Sequence, residues 1–179
     1  MKLCLRLLSV IVIAFFLQSC EFSCSIGQKE KVNGTAIVKD GARIYNNIEL
    51  TAQNLKVSKA YLVFDNGERV PDNNFIDFSR PVKIVVLVDS GWVQQNGKTM
   101  LGAAEKITAE NGSLLLDEPD LFSKTTTDGI TAEDAKAIGI SAIIKLKKGV
   151  PPTSFTVSFR IWDKNGEGSA EGSYKLYSR

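Results

Sequence analysis

The chain has 179 residues, of which 44% are hydrophobic and 23% charged, the usage of a globular protein with length for one domain and not for two comfortable ones. It contains no histidine, and its three cysteines, Cys4, Cys20 and Cys24, all precede residue 25. This excludes histidine-dependent triads and dyads, histidine-ligated zinc, and any thiol nucleophile or disulfide in the body of the chain. The formal charge is only +2, and the densest basic cluster is Lys145, Lys147 and Lys148, which argues against nucleic acid as a partner.

Lys2 and Arg6 open the chain, and an apolar run from Leu7 to Leu17, interrupted by Ser9, follows them. Those eleven residues fall short of the roughly 20 that a spanning helix needs. A charged start followed by a short apolar stretch is the layout of an export signal that is cut off. Its loss removes Lys2 and Arg6 and leaves basic and acidic side chains in equal number.

Leu17-Gln18-Ser19-Cys20 resembles the lipobox of bacterial lipoproteins, in which cleavage falls just before a cysteine that becomes diacylated; Gln18 stands where that pattern usually has a small or aliphatic residue. Cys24 fits less well, because Glu21 would occupy the aliphatic position. The resemblance implies that residues 1–19 are removed and that Cys20 carries the lipid. It also implies a place in the cell envelope on the outer membrane of a Gram-negative bacterium, or on its inner counterpart, with the face left open. At about 0.8 kcal/mol per buried methylene, two or three acyl chains anchor stably where one does not. An ordinary secretory signal with an incidental cysteine is the alternative. Residues 20–33 are polar overall and read as a lipidated flexible tether.

From residue 34 to 179 turn signals punctuate the chain: after Asn33-Gly34 come Asp40-Gly41, Asn66-Gly67, Asn96-Gly97, Asn111-Gly112, Asp128-Gly129 and Asn165-Gly166. Each favours the positive-φ pair of a type I′ hairpin turn. Between them lie runs rich in β-branched and aromatic residues at 35–38, 48–55, 60–64, 82–88, 113–116, 142–146, 155–162 and 173–177. The expectation is an all-β fold, an immunoglobulin-like antiparallel β-sandwich with at most one short helix. Val82 to Val88 is apolar on both parities, as a central strand covered on both faces would be. Residues 91–124 read either as two strands or as a long ordered loop. Thr131 with Asp134 three positions on resembles a capping box, and predicts a helical turn or two through Ala135, Ala137 and Ile138, stopped by Gly139. A two-residue turn at Asn165-Gly166 sets Ile161 opposite Ala170, Phe159 opposite Gly172, Val157 opposite Tyr174 and Phe155 opposite Leu176. Arg160 then meets Glu171 on the other, polar face.

That polar face supplies the candidate binding residues. Trp162 and Tyr177 share the outward parity of Arg160, a composition typical of interaction hot spots and suited to stacking of sugars. The competing expectation is that residues 91–124 cover this face and bury Trp162 as a second layer. Trp92, at the end of the central strand, is either a core cap or a further stacking platform. Asp163, Asn165 and Glu167 have the spacing of the front half of a calcium loop, but Tyr174 stands at the twelfth position where a bidentate glutamate belongs. A hairpin turn explains the same residues, and no metal site or cofactor is expected. Asp117, Glu118 and Asp120 form an acidic cluster around Pro119 that would supply the paired carboxylates of a small hydrolase, with a solvated loop as the commoner explanation. The reading overall is a non-enzymatic envelope lipoprotein, a binding or scaffold module with another envelope protein as partner. A glycan-binding module is the first alternative and a carboxylate-dependent hydrolase the second.

Overall fold

A computed structural model describes residues 21–26, 37–123, 128–146, 151 and 153–178. In chain order its strands are β1 (Glu21–Ile26), β2 (Ile37–Lys39), β3 (Ala42–Ile44), β4 (Glu49–Gln53), β5 (Lys56–Phe64), β6 (Phe75–Ile76) and β7 (Val82–Ser90). They continue as β8 (Lys98–Thr99), β9 (Leu101–Ala109), β10 (Leu114–Glu118), β11 (Ile130–Thr131), β12 (Ala137–Ile143), β13 (Ser154–Asp163) and β14 (Ser169–Ser178). A first sheet has the order β1-β12-β7-β5-β3-β2, a second the order β10-β9-β13-β14-β4 with β6 beside β14, and β8 and β11 form a small ribbon. The fold is an all-β sandwich. Its pairings are antiparallel apart from two short parallel ones, β3 with β5 and β6 with β14.

Alternation builds the core. On β13 the inward residues Phe155, Val157, Phe159 and Ile161 are buried, and on β7 so are Val82, Ile84, Val86 and Val88. Each such side chain contributes about 1.5–3 kcal/mol on leaving water. The register of β13 on β14 is the expected one, from Phe155↔Leu176 through Phe159↔Gly172 to Arg160↔Glu171 and Ile161↔Ala170. A one-residue slip would carry Arg160 into the core. β7 is central and covered on both faces: its outward Val85 joins Tyr45, Tyr61 and Val63 in a second buried cluster, with Leu87 packed against it.

One open choice is decided and three expectations change. Residues 91–124 hold two full strands, β9 and β10, together with the short β8, and β9 lies between β10 and β13 in the second sheet. The predicted helical element is a single 3-10 turn, Asp134–Lys136, with Thr131 and Asp134 bonded as expected. Beyond it, Ala137 and Ile138 belong to β12, because pairing on both sides, with β7 and β1, outweighs a weak helical start. Residues 20–33 are not tether throughout. Glu21–Ile26 is an edge strand with Phe22, Cys24 and Ile26 opposite Ala142, Ile140 and Ile138. Finally, only Asp40-Gly41 and Asn96-Gly97 among the described turn dipeptides have positive φ at both residues. The β13–β14 turn keeps its register without being type I′: Asp163 accepts from the Asn165 N–H at 2.9 Å, and the Asp163 N–H donates to the Gly168 carbonyl at 2.8 Å. Asn33-Gly34 lies outside the described residues.

The two sheets are joined by a buried amide pair. Asn46, in the β3–β4 connection, accepts from the Leu62 N–H of β5 at 3.0 Å and donates to the Val70 carbonyl and to Asn74 Oδ1. Asn74 donates to the Asn46 carbonyl and to the Lys175 carbonyl of β14, both at 2.8 Å. Both asparagines have positive φ, a conformation that asparagine tolerates better than most residues. Asn46→Ala orphans several buried backbone groups at about 1–3 kcal/mol each, so a loss of about 3 kcal/mol is expected in urea unfolding. Asn47→Ala is the control: Asn47 also has positive φ, but it is exposed, and its variant should lose about 1 kcal/mol.

Candidate functional site

The outward residues of the second sheet form ordered rows because β9, β13, β14 and β4 pair without a register shift and β10 is in register from Leu116 to Glu118. One row runs Thr51, Glu171, Arg160, Ala104, and the next Glu49, Ser173, Ser158, Lys106, Asp117. Above them Trp162 lies between Ser169 and Gly102. A broad open groove of about 800 Å³ crosses all five strands along the first two rows and reaches Lys39 at the β4 side. Its centre is made by small residues, Ala104, Ser158, Gly172 and Ser173, with charges around them.

Trp162 stands in the next row beyond this groove, two residues along β13 from Arg160, which lines it. Its indole lies against Gly102, where any Cβ would collide with the ring, and the side chain remains partly exposed. The Arg160 guanidinium carbon is 5.5 Å from the indole centroid, within cation–π range. Neither Arg160 nor Lys106 has a hydrogen-bond or ion-pair partner among the described residues. Within the segment expected as a possible cover for Trp162, β9 is the neighbouring strand of the same sheet and sets Gly102 directly opposite Trp162.

The other sequence candidates are placed elsewhere. Tyr177 pairs with Ser154 at the far end of β13 and stacks on Phe75 at 5.1 Å, so it shares no platform with Trp162. Trp92 donates its indole N–H to the Ala135 carbonyl at 2.8 Å and packs on the core, which makes it a cap on the sandwich. Asp163 is buried, and its two oxygens accept from Asn165 and from the Val93 N–H, at 2.9 and 2.5 Å. The carboxylate that a calcium loop would aim at an ion holds the turn. Asp120 pairs with Lys164 at 2.6 Å, while Asp117 and Glu118 line the groove. Cys20 lies outside the described residues.

Sequence reasoning passed over Glu105. It sits at inward parity on β9 between Ala103 and Ile107, opposite Phe159, and is 2% exposed. Both carboxyl oxygens are buried without a hydrogen-bond partner, and burial raises the pKa from 4.5 to about 7. Burial, and secondarily the Glu105 charge, also pushes the Tyr174 phenol upward. The signal was present in Leu101, Ala103, Glu105 and Ile107, an alternating inward set with one carboxylate, but it counts only once β9 is known to be a strand.

No family model and no curated protein matches the chain. Among solved structures it is similar to the crystal structure of the C-terminal domain of wzt, with a TM-score of 0.47 and 13% identity, covering 79% of this chain and 82% of that one. That likeness is too slight to carry a ligand or an activity across.

Glu105 gives the site a pH test. A carboxyl whose pKa is higher folded than unfolded costs nothing below pH 4.5, costs progressively more up to about pH 7 and a constant amount above it. Between pH 5 and pH 8 the native chain should lose about 2–3 kcal/mol in urea unfolding from this group. Glu105→Gln should abolish most of that loss, and an unchanged pH dependence in the variant would refute the assignment.

Proposed function

We propose that this chain is a lipid-anchored, non-enzymatic binding module of the cell envelope, whose recognition surface is the outward face of the second sheet and whose occupant is a glycan. The observation that carries the reading is Trp162, packed on Gly102 beside Arg160, which lines the groove and has no hydrogen-bond or ion-pair partner among the described residues. An indole face packs on the apolar face of a sugar ring, while a guanidinium and carboxylates answer its hydroxyls. Protein scaffolding, the other reading, calls for a continuous apolar patch. The large exposed hydrophobic side chains among the described residues, Phe75, Val93 and Leu114, sit on three separate elements.

Lipid anchoring rests on Leu17-Gln18-Ser19-Cys20. Cys20→Ala should abolish palmitate incorporation and release the protein from membranes; labelling that persists would move the site to Cys24 or end the idea. For the groove, a glycan array followed by titration of the best ligand is the direct test. Trp162→Ala should weaken binding by at least about tenfold, or 1.4 kcal/mol, with the melting temperature little changed. Cross-linking in intact cells that captures one envelope protein through the same face, with no glycan bound, would favour scaffolding.

A further inference from the structure

The register of β1 fixes which end of the sandwich an acyl anchor would hold. Glu21 lies opposite Ile143, Ala142 opposite Val82, and Val82 opposite Phe64. At the usual spacing of about 4.8 Å between strands, Glu21 and Phe64 are roughly 14 Å apart along one edge. The second sheet presents the same end through Tyr177 and Ser178, paired with Phe75 and Ile76. Residues 77–81 pass directly from Ile76 to Val82, and Phe78 packs edge to face on Phe155 at 5.0 Å. Consecutive Cα atoms are 3.8 Å apart, so an acyl group on Cys20 is one peptide unit from this edge, with no slack between them.

Resting on the reading of Cys20 as the lipid site, we infer that this end of the sandwich sits in the lipid headgroup layer, with the strands standing away from the bilayer. Phe75 is 43% exposed and stacks on Tyr177, giving an aromatic pair with one polar tip at the surface. Such side chains settle at the boundary between headgroups and hydrocarbon. Leu114, 55% exposed at the start of β10, adds apolar surface at the same end. Arg80 at this end is paired with Glu68 at 3.0 Å. The opposite end carries Trp92 and Trp162, with Trp162 eight positions along β13 from Ser154 and hence roughly 27 Å farther from the lipid.

That separation makes the native tryptophans an internal control. The acylated full-length protein, checked by mass, is reconstituted in vesicles of phosphatidylethanolamine and phosphatidylglycerol whose acyl chains are brominated near the headgroup. Emission from Trp92 and Trp162 should match that in unbrominated vesicles. In Phe75→Trp the added emission should fall about twofold or more, because hydrocarbon begins just below the headgroup layer. Leu114→Trp is a second probe at the same end, should the first variant disturb the Tyr177 stack. Native tryptophans quenched as strongly as the added ones would overturn the orientation, as would an unquenched tryptophan at both new positions in a chain that is acylated and floats with the vesicles. Either result leaves the anchor intact, whereas a chain without acyl mass overturns both.

Discussion

Two buried amides hold the sandwich in one arrangement. Asn46 and Asn74 bond to each other and extend to the backbone of β5 in one sheet and β14 in the other. Hydrophobic contact between sheets is indifferent to small sliding, but hydrogen bonds with fixed partners are not. The rows on the outward face of the second sheet depend on this, because β4 reaches its place beside β14 directly after the Asn46 connection. A shift there would separate Thr51 and Glu49 from Glu171 and Ser173 and open the floor of the groove.

Much of the fold was legible where alternation was strong. The β13–β14 register followed from one turn and the parity of Phe155, Val157, Phe159 and Ile161, and the double-sided apolarity of β7 correctly marked a central strand. Other segments were opaque for physical reasons. In β9 the small residues Gly102, Ala103 and Ala104 carry little β signal of their own, and Gly102 leaves room for Trp162. In β1 the alternation of Phe22, Cys24 and Ile26 with Glu21, Ser23 and Ser25 was hidden by the length of polar chain around it. Ala137 and Ile138 followed a bonded Thr131–Asp134 pair, yet tertiary pairing decided their state.

The site divides in the same way. Arg160 and Trp162 were predictable as neighbours because they lie two apart on one strand, and the structure brings them together. Tyr177 shares their parity, but parity says nothing about distance along a strand, and it belongs to the other end. Glu105 is the inverse case: an inward carboxyl in a sheet is conspicuous only against a known strand. Burial makes its ionised form costly in that place, and the residues on either side of it, Ala104 and Lys106, line the groove.

The connectivity has a consequence for how the chain reaches this state. β1 pairs with β12 and β4 with β14, and in both cases the partners are separated by over a hundred residues. Contacts so distant in sequence form late, since the entropy of closing the loop must be met before any hydrogen bond forms. For a chain emerging from its N-terminus, the first sheet is complete only once β12 has formed and the second only once β14 has. Each of these late strands inserts between two earlier ones, β12 between β1 and β7 and β14 between β4 and β13, which until then have open edges. During that interval the exposed strand edges are the points at which the chain is open to mispairing or to a chaperone.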